Sequence, residues 1–164
     1  MTPRHAERTP GQRSAVGRRI INPWSWQDPF GFVQANEVTG ASRTIFCAGQ
    51  ASVDEDGRPL HAGDMRGQTQ RSLDNLEVVL TAAGAGLGDV VRLNDFTTDV
   101  GALLDTWETV VERLAQAQCR PASMLLGVQM LAFPELLVEI EATAIIGRRE
   151  PEGFLAAPGA RATP

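Results

Sequence analysis

The chain has no lysine and no tyrosine, and only two histidines and two cysteines among 164 residues. Each shortage closes a route. Without lysine there is no amine for a Schiff base, no anchor for a pyridoxal group and no phosphate-loop lysine. Without tyrosine there is no phenolic acid. His5 lies in a polar terminal stretch, which leaves His61 alone and gives a Ser-His-Asp triad or a zinc site too little material. No run approaches the ~18–20 consecutive apolar residues of a membrane span. Arg18-Arg19 is followed by Ile20-Ile21 and then Asn22-Pro23-Trp24, not by the apolar stretch of an export signal, so a cytoplasmic protein is expected. Cys47 and Cys119 have no metal-ligand spacing and read as free, reduced thiols. No metal and no cofactor is expected.

What is present fits one ordinary domain, with 43% apolar and 21% charged residues. The charge is unevenly spread. Residues 1–21 hold five arginines and one glutamate, and residues 148–164 hold three arginines and two glutamates. Between them, 22–147 carry seven arginines against 17 acids, a net charge of −10. A centre that acidic repels a phosphate backbone, so nucleic acid is disfavoured as a partner. The expected organisation is a flexible basic arm over 1–21, a folded domain over 22–147 and a flexible tail over 148–164.

Periodicity places the elements. Residues 32–38 and 43–53 alternate like strands and are expected to pair as a hairpin through Thr39-Gly40-Ala41-Ser42. Leu73, Leu76 and Leu80 recur at steps of three and four, which predicts a helix over about 64–83 with Asp64 as its N-cap and Gly84 or Gly86 at its end. A strand over 90–97, a helix over about 101–116 capped by Asp99, and strands over 122–130 and 136–146 complete the order β-β-α-β-α-β-β. That order is an α+β fold, one sheet with two helices on one face. Strand 122–130 is apolar on both sides, so its second face is expected against another subunit.

Several strings on these elements carry a resemblance. They are Cys47-Ala48-Gly49-Gln50, Gln70 with Ser72-Leu73-Asp74-Asn75-Leu76, Ala82-Ala83-Gly84 before Asp89-Val90-Val91, Arg120-Pro121-Ala122, and Glu139-Ile140-Glu141-Ala142. In this order, over about 30–147, the chain resembles the RidA/YjgF family, also labelled L-PSP endoribonuclease. The resemblance implies a chorismate-mutase-like fold, a homotrimer with clefts between subunits, and small-molecule chemistry in which well-studied members hydrolyse 2-imino and enamine acids to 2-oxo acids. It also implies site positions. Glu139 would be the catalytic group that orients water. Phe32, Ala48, Gly49, Ser123 and Leu125 would line the substrate site.

Three of the four polar site positions depart from the family pattern, with Phe32 where the family has a tyrosine, Ala48 where it has a serine and Ser123 where it has an arginine, and Glu139 alone is kept. Ser123 stands two residues beyond Pro121, where the family keeps the arginine that clamps the substrate carboxylate. A guanidinium gives two parallel charge-assisted bonds, whereas a serine hydroxyl contributes one neutral bond of about 0.5–1.5 kcal/mol. Arg120 is the candidate substitute, but it lies three residues upstream, about 10 Å along a strand and on the other face. The expected function is therefore a trimer that binds a small carbonyl, imine or enamine metabolite, with ordinary 2-imino acid deaminase activity in doubt. The alternatives are a non-catalytic metabolite-binding or regulatory trimer and, disfavoured by charge, a ribonuclease. Trp107 fits its helix stripe as a core residue or a cleft wall, and Trp24 and Trp26 read as anchors for the segment before the domain or as a lid.

Overall fold

The leucine stripe forms the expected helix. In the computed structural model, which describes residues 16–147, Leu73, Leu76 and Leu80 are fully buried on one face of it. Three further pieces of the chain pass before that helix: β1 (Gly17–Ile21), β2 (Ala35–Thr39) and β3 (Arg43–Ala51). The helix is α1 (Met65–Ala82), followed by β4 (Val90–Thr97), α2 (Val100–Asp105), α3 (Glu108–Gln116), β5 (Ala122–Gly127) and β6 (Val138–Ile146). Asp64 caps α1 by accepting a hydrogen bond from the Gly67 amide at 3.0 Å, which satisfies one of the free donors of the first turn. At its end Gly84 has a left-handed φ of 74°, and the Ala85 amide donates to the Leu80 carbonyl, a closure that favours glycine.

The main sheet has four strands in the order β3-β6-β4-β5. β4 and β5 run parallel and are joined through α2 and α3, while β6 is antiparallel to both β3 and β4. Residues 138, 140, 142 and 144 of β6 face the helices and are buried, together with Cys47 and Leu93. This is the α+β arrangement expected, with the helices on one face of the sheet.

Four expectations change. Residues 17–21 are not part of a flexible arm, because they form β1 and pair with β2 from Gly17↔Thr39 to Ile21↔Ala35. The hairpin between 32–38 and 43–53 does not form either. β2 is taken by β1 and β3 by β6, which gives two sheets in place of one. The second helix divides at Thr106, whose hydroxyl donates back to the Leu103 carbonyl at 3.1 Å, a local bond that competes with helix geometry. Finally, β5 stops at Gly127, opposite Thr97, because β4 ends there and offers no further partner. Residues 1–15 and 148–164, the remainder of the arm and the tail, lie outside the described residues.

The small β1-β2 sheet is held to the body by polar bonds. The Asn36 amide donates to the carbonyls of Val91 at 2.9 Å and Arg120 at 3.1 Å, and its oxygen accepts from Arg18 Nε at 2.9 Å. Arg18 Nη2 also donates to the Arg120 carbonyl at 2.5 Å. Removing one partner strands the others, so Asn36→Ala is expected to lower stability by about 1–2 kcal/mol, read as a shift of the urea midpoint at unchanged slope. No shift would mean that the small sheet is held by something else.

Candidate functional site

Three stretches that are far apart in sequence meet at the β5 edge of the main sheet. The first is the turn before β2. Gln27 is fully buried and its side-chain amide donates to the Trp24 carbonyl at 2.9 Å. This shapes the turn that carries Trp26 and Phe30. The Val33 amide donates to the Pro121 carbonyl at 2.9 Å, which lays Phe32 alongside the start of β5. The second stretch is the break between α2 and α3, where the Trp107 indole N–H donates to the Phe30 carbonyl at 3.1 Å. The third is β5 itself, with Ser123 and Leu125.

Together Trp26, Phe30, Phe32, Leu104, Trp107, Ser123 and Leu125 line a cavity of about 270 Å³. The Trp26 and Phe32 rings meet edge to face, 5.8 Å apart at 73°, a favoured arrangement for two aromatic rings. Trp107 is therefore a cavity wall and only half-buried. Trp26 belongs to the same wall, with 61% of its surface still exposed.

Behind Ser123 lies a carboxyl group that sequence reading passed over. Asp95 occupies an inward position of β4, between Leu93 and Thr97, and is paired across the sheet with Leu125 on one side and Ile140 on the other. Its side chain is 1% exposed. Oδ2 accepts a hydrogen bond from Ser123 Oγ at 3.3 Å, whereas Oδ1 is buried with no hydrogen-bond partner among the described residues. Burial among apolar neighbours pushes the Asp95 carboxyl up to about 7, an effect that the Ser123 bond only partly offsets. The signal was present in the alternation 93-95-97, which sets an acid among inward-facing residues.

The other expected site residues lie elsewhere on the chain. The pairing of β3 with β6 runs from Cys47↔Ala142 to Gln50↔Ile140, so β3 has one extra residue and bulges at Ala48-Gly49. Glu139 lies over this bulge. A Cβ on Gly49 would collide with Glu139 Oε1 and stand 2.7 Å from its Cδ. Glycine is therefore needed for the carboxylate to rest where it does. Glu139 belongs to the face of the sheet away from the helices, and Ser123 to the helix side, because each shares a face with its cross-strand partner: Glu139 with Phe96, Ser123 with buried Leu93. β5 and β3 are opposite edges, about 14 Å apart at three strand spacings. One chain thus brings Phe32, Ser123 and Leu125 together, and Ala48, Gly49 and Glu139 together, but not the two sets.

Arg120 joins neither. Its guanidinium pairs with Asp28 at 3.3 Å, and it borders a separate hollow with Gly31, Val111 and Cys119. Gln50 has a local role, its amide donating to the Ala48 carbonyl at 3.1 Å. Glu141 accepts from the Asn94 amide at 3.1 Å, and Asn94 in turn accepts from Arg92 Nε at 2.8 Å. Both cysteines are free and buried. Burial pushes the Cys119 thiol up to about 11 and that of Cys47 upwards too, which makes both poor nucleophiles. His61, expected without a partner, has its Nδ1 3.0 Å from Ser52 Oγ. Among the described residues there is no cluster of three metal-ligating side chains, and no helix is long and apolar enough to cross a membrane.

The Asp95 carboxyl has a consequence for stability. The folded chain holds this proton more tightly than the unfolded chain, whose aspartates titrate near 3.8. Stability should therefore fall as pH rises from about 4 through about 7, and level off above. Asp95→Asn removes that part of the slope. The variant should gain on the parent chain by up to about 4 kcal/mol between about pH 4 and about pH 8, measured from urea midpoints at the two pH values. Parallel pH profiles for the two chains would mean that Asp95 titrates as an ordinary surface acid.

The family model described as Endoribonuclease L-PSP matches residues 30–146. The RutC family protein UK114 of Drosophila melanogaster is 32% identical over 140 residues, covering 84% of this chain and 96% of its own length. A protein of Dermatophagoides farinae named 2-iminobutanoate/2-iminopropanoate deaminase is 29% identical over 133 residues, covering 79% of this chain and 97% of its own. Among solved structures, the Rid-family protein YyfB of Yersinia pestis, described as of unknown function, superposes with a TM-score of 0.72 at 39% identity, covering 79% of this chain and 98% of that one. The matched span takes in α1, the four-stranded sheet and every residue of the two half-sites except Trp26, and the chain belongs to the L-PSP endoribonuclease family, the RidA/YjgF group.

Proposed function

We propose that the protein is a homotrimer that hydrolyses a small imine or enamine in clefts between subunits, and that ordinary 2-imino acids are poor substrates for it. The observation that carries this reading is the division of the site. The aromatic cavity with Ser123 lies at one edge of the sheet, and the Gly49-Glu139 pair lies near the other edge on the opposite face. A neighbouring copy can bring the two sets face to face, whereas a lone chain cannot. The uncovered sheet face supports association. It carries Phe46 at 81% exposure, with Met124 and Leu126 also exposed, an apolar surface of the kind that partners cover.

In such a cleft the Glu139 carboxylate accepts a proton from a water molecule while the water oxygen bonds to the imine carbon. The imine nitrogen, protonated from solvent before the attack, takes the C=N π electrons and becomes a neutral amine. Collapse of the resulting amino alcohol forms the carbonyl and expels ammonia, with Glu139 returning its proton to the departing nitrogen and the hydroxyl proton passing back to solvent. The sum is imine plus water giving carbonyl plus ammonia.

The preference against 2-imino acids follows from the floor of the cavity. Ser123 has no positive charge, Arg120 is engaged by Asp28, and Asp95 stands behind the serine. Losing the cationic partner of a bound carboxylate costs roughly 2–5 kcal/mol.

Native mass spectrometry should give three times the 17.7 kDa chain mass, and 2-iminobutanoate should be turned over far more slowly than by an arginine-bearing relative. Ser123→Arg alone should gain little, because Asp95 would take the guanidinium, whereas Ser123→Arg with Asp95→Asn should gain clearly. A monomer, or rapid 2-iminobutanoate hydrolysis by the parent chain, would overturn this reading. Gly49→Ala separates geometry from folding. Its bulge is exposed, so stability should stay within about 0.5 kcal/mol, yet turnover should drop as far as in Glu139→Gln because the added methyl displaces the carboxylate.

A further inference from the structure

We infer that the cavity walled by Trp26, Phe30, Phe32 and Trp107 binds a small apolar organic cation, an ammonium or iminium ion without a carboxylate, with its N–H directed to Ser123 Oγ and its charge balanced by Asp95 behind that serine. This deepens the proposed function, on which it rests, by naming the substrate class.

Three observations combine. The first is the direction of the hydrogen bond. Ser123 Oγ donates to Asp95 Oδ2, so its proton is engaged and its lone pairs remain for the cavity. A hydroxyl in that state accepts from a ligand N–H and has no donor left for a ligand carboxylate. The second is the unfinished carboxyl. Asp95 is 1% exposed, and among the described residues its Oδ1 has no hydrogen-bond partner and no arginine is paired with the carboxyl. A buried carboxylate without a cation is costly, and a positively charged guest one hydroxyl away offsets that cost. The third is the wall. Four aromatic side chains line the cavity, and the Trp26 and Phe32 rings stand at 73° to each other. Aromatic faces attract cations, most strongly where water is excluded.

Size and charge narrow the occupant. At about 270 Å³ the cavity lies just under the roughly 300–1,000 Å³ of drug-sized sites, which suits a single ring or a short branched chain. A macromolecular side chain would have to enter through the same opening, but the net charge of −10 over residues 22–147 steers free cations to it without help from a partner surface. An imine of this class is protonated to an iminium at nitrogen, and that is the form that water attacks. The same contacts that hold the cation therefore hold the reactive species.

Calorimetric titration of the full chain at mildly alkaline pH with three ligands of one shape tests this: benzylammonium, benzyl alcohol and benzoate. Benzylammonium should bind about ten-fold or more tighter than benzyl alcohol, and benzoate should bind weakest. Asp95→Asn should erase the advantage of the cation while leaving benzyl alcohol binding as it was. Ser123→Ala, which leaves Asp95 in place and alters only one hydroxyl, should remove most of that advantage. Equal binding of benzoate and benzylammonium, no binding of any of the three, or a cation preference that survives both substitutions would overturn the inference. The oligomer is scored separately by native mass. A trimer that hydrolyses imines without preferring benzylammonium defeats this inference alone. A monomer that prefers benzylammonium through Asp95 defeats the proposed function and leaves the cation site standing.

Discussion

Successive side chains on a strand point to opposite faces, and this period of two governs where every polar group of the sheet ends up. On the helix side, β4 presents Leu93, Asp95 and Thr97, and β5 presents Ser123 and Leu125. On the open side the same strands present Arg92, Asn94, Phe96, Met124 and Leu126, beside Glu139 and Glu141 of β6. A slip of one residue in either pairing would exchange these sets, exposing Leu93 and burying Arg92. The antiparallel and parallel registers on the two sides of β4 therefore fix at once the core, the buried acid and the surface that faces away from the helices. The register shifts at two places, between Val90 and Arg92 against β6 and at the Ala48-Gly49 bulge, and the second is where Glu139 comes to rest against backbone.

Asp95 is the point at which local consistency fails. Its cross-strand neighbours are Leu125 and Ile140, and a valine in its place would pack there without a polar atom to satisfy. A carboxyl with one oxygen unpartnered destabilises the fold relative to such a residue. Elsewhere among the described residues Ser72 Oγ is also buried without a partner, a smaller cost for a hydroxyl than for a carboxyl, while other buried polar groups are served. Gln68, fully buried, donates to the His61 and Glu135 carbonyls and accepts from the Leu137 amide, and the Thr97 hydroxyl donates to the Leu137 carbonyl at 2.7 Å. Breaks in an otherwise consistent pattern concentrate where a protein binds something. Among the described residues Asp95 is hydrogen-bonded to no side chain but the serine in the cavity floor, which ties this break to the cavity.

Much of the frame was legible in the residues because short-range rules set it. The leucine spacing in α1, its Asp64 cap, the Asp99 cap of α2 and the alternation of β4 and β6 each depend on a few neighbouring positions, and each stands where expected. What the sequence did not disclose depends on pairing between distant segments. Gly17–Ile21 is arginine-rich and short, so nothing local marks it as a strand until Ala35–Thr39 lies beside it. The break at Thr106 follows from one hydroxyl returning to the Leu103 carbonyl and from the anchoring of Trp107 by the Phe30 carbonyl, 77 residues away. The aromatic wall was hidden for the same reason. Trp26, Phe30, Leu104 and Trp107 come from segments whose proximity only the closed fold creates, and Trp107 taken alone fits a helix stripe. Asp95 is the exception, since its inward place could be read directly from the alternation of its own strand.

A serine at position 123 differs from an arginine in hydrogen-bond direction as well as in charge. An arginine there is a donor at every nitrogen, and its natural guest is an acceptor such as a carboxylate. A serine alone would be neutral in this respect, because a free hydroxyl can rotate to donate or accept. Asp95 removes that freedom by taking the proton. The cavity floor then presents lone pairs where a guanidinium would present N–H groups, and the ring faces around it add negative potential of the same sense. Floor and wall reinforce each other, since aromatic faces that attract a cation would repel the carboxylate that the serine can no longer hold. The proposed preference for a cation therefore rests on two residues in adjacent parallel strands, Asp95 and Ser123, and neither produces it without the other.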